Sequence, residues 1–201
     1  FAQRFGLPTG TAPRPLQVAT AELVSGLRAP GLVIIEAPMG EGKTEAALIA
    51  AEILAGKSGA GGCFIALPTQ ATSNAMFTRV LAWLERLPAN DHDPAGRPGD
   101  AGHSVMLAHG KASLNDRFQG LVRRGYSRAA GVDEPVTRSK NGRPAADVDL
   151  VAHQWLSGRK KGVLASFVVG TIDQLLFAGL KSRHLALRHL ALAGKVVIID
   201  E

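Results

Sequence analysis

The sequence predicts an α/β fold, a doubly wound and mostly parallel sheet with helices on both faces, and three observations predict it. Short apolar, β-branched runs recur at residues 32–36, 63–67, 105–108, 167–169 and 196–199, none with the inside/outside alternation of a half-exposed sheet. Stretches of helix-forming composition separate them. A glycine-bearing turn, Ala37-Pro38-Met39-Gly40-Glu41-Gly42-Lys43-Thr44, joins the first run to the first of those helices.

The elements follow in order. Residues 43–55 are rich in Ala, Leu, Glu and Lys and reach Gly56, where a C-terminal cap is expected. The run at 63–67 leads into a helix over 69–87 that Pro88 closes. A third strand at 105–108 precedes a helix over 113–123, a fourth at 167–169 precedes a helix over 172–180, and 196–199 is the last strand. Residues 90–102 and 125–149 are dense in Gly, Pro and charged side chains without apolar periodicity, and read as exposed loops rather than domain boundaries. Asp91-His92-Asp93 lies in the first of them, where a floppy loop is a poor frame for a metal centre.

Length and composition agree with one domain. The chain has 201 residues, 46% hydrophobic and 20% charged, enough to build an independent core. No run approaches the ~18 consecutive apolar residues of a membrane span. One cysteine, Cys63, excludes an internal disulfide framework, and Phe1-Ala2-Gln3-Arg4-Phe5 lacks the order of a secretory signal; both favour a cytoplasmic setting. The net charge is +6 and unevenly placed: residues 1–120 carry 10 basic and 10 acidic side chains, residues 121–201 carry 13 and 7. A one-sided basic surface suits a polyanionic partner, nucleic acid above all. Arg159-Lys160-Lys161 belongs to that half, and Trp83 and Trp155 read as core or interface residues rather than base-stacking platforms.

The turn at 37–44 carries the chemistry. A phosphate-binding loop needs backbone N–H groups converging on phosphate oxygens, and Gly40 and Gly42 supply the unusual dihedrals and close approach. Lys43 then reaches the β- and γ-phosphates, Thr44 offers a hydroxyl to Mg²⁺, and the helix N-terminus adds its free N–H groups and dipole. Gly40, Glu41, Gly42, Lys43, Thr44 and Glu45 form the nucleotide-binding set. The first position of the pattern is Ala37 instead of Gly. The strand at 196–199 ends in Asp200-Glu201, and acids at the C-terminal edge of such a strand face the ligand crevice of an open α/β sheet. Asp200 is expected to hold Mg²⁺, and Glu201 to orient or deprotonate the attacking water. A catalytic glutamate as the terminal residue leads to the expectation that the 201 residues are part of a larger protein.

These residues resemble motifs of superfamily 2 helicases: 37–44 motif I, Leu67-Pro68-Thr69-Gln70-Ala71-Thr72-Ser73-Asn74 motif Ia, Val169-Gly170-Thr171-Ile172-Asp173-Gln174 motif Ib, and 196–201 motif II. Alanine at the first position of motif I is usual there. The wording of LPTQATSNAMFTRV, AHGKASL, VVGTIDQLL and KSRHLALRHLALAGKVVIIDE resembles the helicase part of the CRISPR-associated helicase–nuclease of type I systems, with subtype I-E the nearest reading. The resemblance implies a first RecA-like domain with ATP and Mg²⁺ as cofactors and single-stranded DNA as partner. It further implies an upstream nuclease, a second RecA-like domain that completes the ATP site, and a CRISPR surveillance complex that recruits the parent protein. Gln17 is implied to read the adenine edge; Thr69, Gln70, Thr72 and Thr171 to meet DNA phosphates; His109 shares their post-strand setting. Thr69 and Thr171 also sit where helix N-caps belong, and the two roles coexist. Two other readings stand beside this one: a different superfamily 2 motor, and a P-loop module that switches with ATP without translocating.

Overall fold

The computed structural model describes residues 1–28, 31–87, 103–129, 162–180 and 184–200. Helices α1 (Ala2–Phe5), α2 (Pro15–Gly26) and α3 (Lys43–Ser58) precede strand β1 (Cys63–Leu67) and helix α4 (Gln70–Leu84). Strand β2 (Val105–Ala108), helix α5 (Asp116–Ala129), strand β3 (Phe167–Thr171), helices α6 (Ile172–Leu176) and α7 (Leu185–Leu192), and strand β4 (Val196–Ile199) follow. The strands form one sheet in the order β2-β3-β1-β4, every pair parallel. Cys63 stands opposite Phe167 on one side and Val196 on the other, and Val105 opposite Phe167. The α/β, parallel-sheet architecture expected from the strand composition is the one observed.

Every residue of β1, β2 and β3 is buried. Successive side chains of a strand point to opposite faces, so both faces of this part of the sheet are covered. The core centres on Phe64, Ile65, Phe77, Leu84, Leu107 and Val169. Phe77 meets Phe118 edge-on with ring centroids 5.9 Å apart, and Trp83 meets Phe167 the same way at 6.0 Å. Trp83 is thus a core residue, as the sequence suggested, with the Arg4 guanidinium 5.2 Å from its ring centroid. Arg4 also donates to the Trp83 carbonyl at 3.0 Å and to Glu52 at 2.9 Å, fastening α1 to α3 and to the end of α4.

Several boundaries depart from expectation. Residues 32–36 are not a strand: Leu32 is 86% and Ile34 79% exposed, and the segment joins no ladder. An apolar, β-branched run becomes a strand only beside a partner, and β4, paired among the described residues with β1 alone, has Val197 and Ile199 exposed. Gly56 is not the cap of α3; the helix continues to Ser58 and closes at Gly59, its last turn tied to the end of α2 because Lys57 donates to the carbonyls of Ser25 and Leu27. The helix expected over 113–123 begins at Asp116 after a 3₁₀ turn at Ala112–Leu114 and extends to Ala129, so the loop expected at 125–149 starts inside α5. The helix expected over 172–180 ends at Leu176 and becomes turn. Residues 90–102, 130–149, Trp155, 159–161 and Glu201 lie outside the described residues.

Candidate nucleotide and nucleic-acid sites

The phosphate loop is built by its two glycines. Gly40 (φ 84°) and Gly42 (φ 79°) both take the left-handed conformation that disfavours any residue with a Cβ. Gly42 is the N-cap of α3 and has no side chain to offer the helix. The first intrahelical bond runs from Ala46 N–H to the Gly42 carbonyl at 3.0 Å, leaving the amides of Lys43, Thr44 and Glu45 at the open end of the helix. Lys43 curls back so that its Nζ donates to the carbonyls of Ala37 (2.5 Å) and Pro38 (3.1 Å), placing the ammonium within the curve of the loop. Amides at an open helix N-terminus beside a lysine ammonium can receive an anion, and this donor set fits a nucleotide phosphate chain.

Gln17 lies at the root of that loop. It is buried in the first turn of α2, where Pro15 begins the helix. Its Oε1 accepts the Arg14 N–H at 2.8 Å, and its Nε2 donates to the Gly42 carbonyl at 3.4 Å. A carboxamide holds two donor hydrogens and two acceptor lone pairs, so these bonds leave one of each for a further partner. Beside it, a groove of about 530 Å³ opens between α1, α2 and α3, with Phe1, Phe5, Val18, Ile49 and Ile53 on its walls. None of the residues 37–44 lines that groove.

Two arginines that the motif reading passed over frame the loop. Arg14 donates to the Gly40 carbonyl and lies 3.8 Å from Glu41. Arg79, on α4, donates to Thr44 Oγ1 at 3.3 Å and to Glu45 Oε1 at 2.5 Å. Arg79 lies within the LPTQATSNAMFTRV segment, but the motifs assign no site role to either arginine. The signal available for Arg79 was its spacing, seven residues after Thr72 and so on the same helix face.

The C-terminal edge of the sheet gathers most of the other candidates. Leu67 pairs with Thr171, Ala108 with Gly170 and Ala66 with Ile199. His109, Thr171, Thr69 and Asp200 therefore follow one another in that order along a single edge. The Asp200 N–H continues the ladder to the Ala66 carbonyl at 3.0 Å. For a divalent cation, Thr44 and Asp200 offer a hydroxyl and a carboxylate, oxygen donors that suit Mg²⁺ when phosphates and water complete its shell. Among the described residues there is no cluster of three or more His, Cys, Asp or Glu side chains able to hold a metal by themselves.

Thr69 and Thr72 cap α4 reciprocally. Thr69 Oγ1 accepts the Thr72 N–H at 3.1 Å, and Thr72 Oγ1 accepts the Thr69 N–H at 3.2 Å. This is a capping box with threonine in the place usually held by Glu or Gln, and it leaves no carboxylate at the helix start. Thr69, Gln70 and Thr72 are all exposed there. Thr171 differs: it is 7% exposed and N-caps α6 without a side-chain bond, so the expected capping bond is absent.

His109 closes a network across the same edge. The Lys111 N–H points at its Nδ1 (3.2 Å), which makes Nδ1 the acceptor and leaves the proton on Nε2, 3.1 Å from Asn74 Oδ1. Asn115 Nδ2 donates to the same Asn74 oxygen at 2.9 Å, and Asn115 Oδ1 accepts the Phe118 N–H at 3.0 Å. Burial lowers the His109 pKa below its usual value, in keeping with a neutral ring. The network fastens the loop after β2 to α4 next to Gln70.

No protein-family model matches the chain. In sequence it is 42% identical to the CRISPR-associated nuclease/helicase Cas3 of Streptococcus thermophilus, across all of this chain and 19% of that protein. It is 38% identical to the CRISPR-associated endonuclease/helicase Cas3 of Thermus thermophilus over 94% of the chain and 18% of that protein. In structure it is similar to T. fusca Cas3-ATP, with a TM-score of 0.71, 38% identity, and coverage of 100% of this chain and 19% of that one. T. fusca Cas3-AMPPNP gives a TM-score of 0.68 at 36% identity, again over 100% of this chain and 19% of that one. The chain is similar to part of these Cas3 nuclease/helicase proteins and spans about a fifth of the length of the relatives it matches.

Proposed function

We propose that this chain is the first RecA-like ATPase domain of a Cas3-type helicase–nuclease, a motor that moves along single-stranded DNA in CRISPR defence. One observation carries the reading: two left-handed glycines, an uncapped helix N-terminus and the Lys43 ammonium converge on a single loop. The similarity to Cas3 structures with ATP and AMPPNP supports it.

In this reading Mg²⁺-ATP supplies the phosphoanhydride whose cleavage drives movement, and the chain's own groups do the rest. Lys43 gives up its carbonyl partners to meet phosphate charge, and the amides of 43–45 bind phosphate oxygens. Thr44 and Asp200 ligate Mg²⁺, and Glu201 orients the attacking water. Gln17 uses its spare donor and acceptor on the base while remaining tied to Gly42. Thr69, Gln70, Thr72 and Thr171, with the His109 loop, track the phosphates of a single strand along the sheet edge. The nuclease, a second RecA-like domain with its completing arginines, and a Cascade-type surveillance complex belong to the parent protein, which acts in the cytoplasm.

The test is the ATPase rate of the protein that carries this chain, with and without single-stranded DNA or RNA, beside Lys43→Ala. DNA-stimulated turnover that falls by about 100-fold or more in the variant is the expected result, on the scale of removing one preorganised charge. Stimulation by RNA alone makes the protein an RNA motor. A nucleotide-binding protein indifferent to both polymers is a switch without translocation.

A further inference from the structure

Arg79 joins the two candidate sites through one rigid helix. It follows Thr72 by seven residues, which is two turns, so the two side chains share a face of α4 about 10 Å apart along the axis. At the start of that helix stand the exposed Thr69, Gln70 and Thr72. Two turns on, the guanidinium of Arg79 bonds Thr44 Oγ1 and Glu45 Oε1 in the first turn of α3. Between these ends α4 is held as a body by the Thr69–Thr72 capping box and by the buried Phe77, Val80, Leu81 and Leu84. The Arg79 side chain itself is half exposed and free to change partners.

Thr44 Oγ1 is the oxygen that a phosphate loop offers to a divalent cation. A guanidinium keeps its charge at every accessible pH, so it cannot share that oxygen with a dication without strong repulsion. Glu45, next to Thr44, gives Arg79 a second anchor that a cation at Thr44 does not contest.

We propose that Arg79 is a positioning residue that couples the nucleotide site to the nucleic-acid-facing start of α4. It fastens α4 to α3 through both Thr44 and Glu45, and retains only Glu45 when the Thr44 hydroxyl ligates a cation. The changed anchorage alters how α4 presents Thr69, Gln70 and Thr72. The inference rests on the nucleotide-and-DNA reading above.

The test is a linkage measurement on the protein that carries this chain. The affinity for a fluorescent oligodeoxythymidylate is measured with and without Mg²⁺-AMPPNP, in wild type, Arg79→Ala and Arg79→Lys. The expected wild-type change on adding nucleotide is about tenfold, an ordinary magnitude for coupled sites. Arg79→Ala reduces it to less than about twofold by moving the nucleotide-free oligonucleotide affinity toward that of the nucleotide-bound protein, while the thermal midpoint stays near wild type. Arg79→Lys keeps the charge but not the fork and retains an intermediate ratio, and it carries the test should Arg79→Ala fail to fold. Full coupling in the variants overturns the inference alone, as does a wild type that binds both probes without coupling. A wild type that binds neither probe overturns the functional reading, and the inference with it.

Discussion

Gln17 and Gly42 meet at the base of the 37–44 loop, where the Gln17 side chain fills the space that a Cβ on residue 42 would need. Gln17 Nε2 donates to the Gly42 carbonyl at 3.4 Å, and a Cβ on residue 42 would collide with that same amide nitrogen. A side chain 25 residues upstream thereby braces the dihedral on which the loop turns.

Gly42→Ala therefore suffers twice, from a left-handed φ of 79° and from the steric clash with Gln17. The backbone term alone is about 1–2 kcal/mol. The expected outcome is loss of nucleotide binding by titration calorimetry, with a drop in thermal midpoint that Gln17→Ala partly relieves.

Thr69 caps α4 and is proposed to meet DNA phosphate, and two substitutions test the hydroxyl that both tasks share. Thr69→Ala removes the capping acceptor and is expected to cost about 1 kcal/mol. Thr69→Ser keeps the hydroxyl and the cap. Chemical denaturation should therefore distinguish the two variants, while single-strand binding should weaken in Thr69→Ala beyond what the lost stability explains.

His109 makes stability sensitive to acid. Its folded pKa lies below the ordinary histidine value, so the unfolded chain takes up the proton first as pH falls. The stabilising contribution is complete above about pH 6.5, the unfolded value, and is lost as pH falls through the lower folded one. Protonation at Nδ1 also removes the acceptor for the Lys111 N–H. Burial lowers His103 in the same direction, against the Phe167 ring. Thermal midpoints measured from pH 7.5 to 5 should fall less steeply in His109→Gln than in wild type.

Lys195 and Cys63, at the opposite end of the sheet, predict a shape at alkaline pH. Burial lowers the Lys195 pKa from 10.5 to about 8, while its Nζ donates to the Val163 carbonyl at 2.8 Å. Between about pH 8 and 10.5 the unfolded chain holds a proton that the folded one has released, so stability rises with pH. Burial raises the Cys63 thiol from 9.0 to about 12, so above pH 9 the unfolded chain loses a proton first and stability falls. Denaturation midpoints should rise from pH 8 to 9 and then level off. Lys195→Met should abolish the rise, and Cys63→Ala should extend it toward pH 10.

Much of the frame was legible in the sequence because it is local. Composition marks β1, β2 and β4 to the residue, and the 37–44 turn carries its glycines at the two positions whose φ proves left-handed. Helix ends were less legible. Gly56 looks like a cap by itself, but Lys57 tethered to α2 carries α3 one turn further. Helix α2 was missed because Gln17 is a weak signal alone, and its side chain caps the helix only once Arg14 and Gly42 are in place.

What the sequence determined by itself is the class of fold and the shape of the 37–44 loop, since glycine dihedrals, a helix start and a lysine act within a few residues of one another. Tertiary structure alone decided that 32–36 stays out of the sheet, because a strand exists only where a neighbour completes its ladder. It also decided the partners of Arg79, Asn74 and His109. Each acts on a residue about 35 positions away, through hydrogen bonds whose geometry no local pattern encodes.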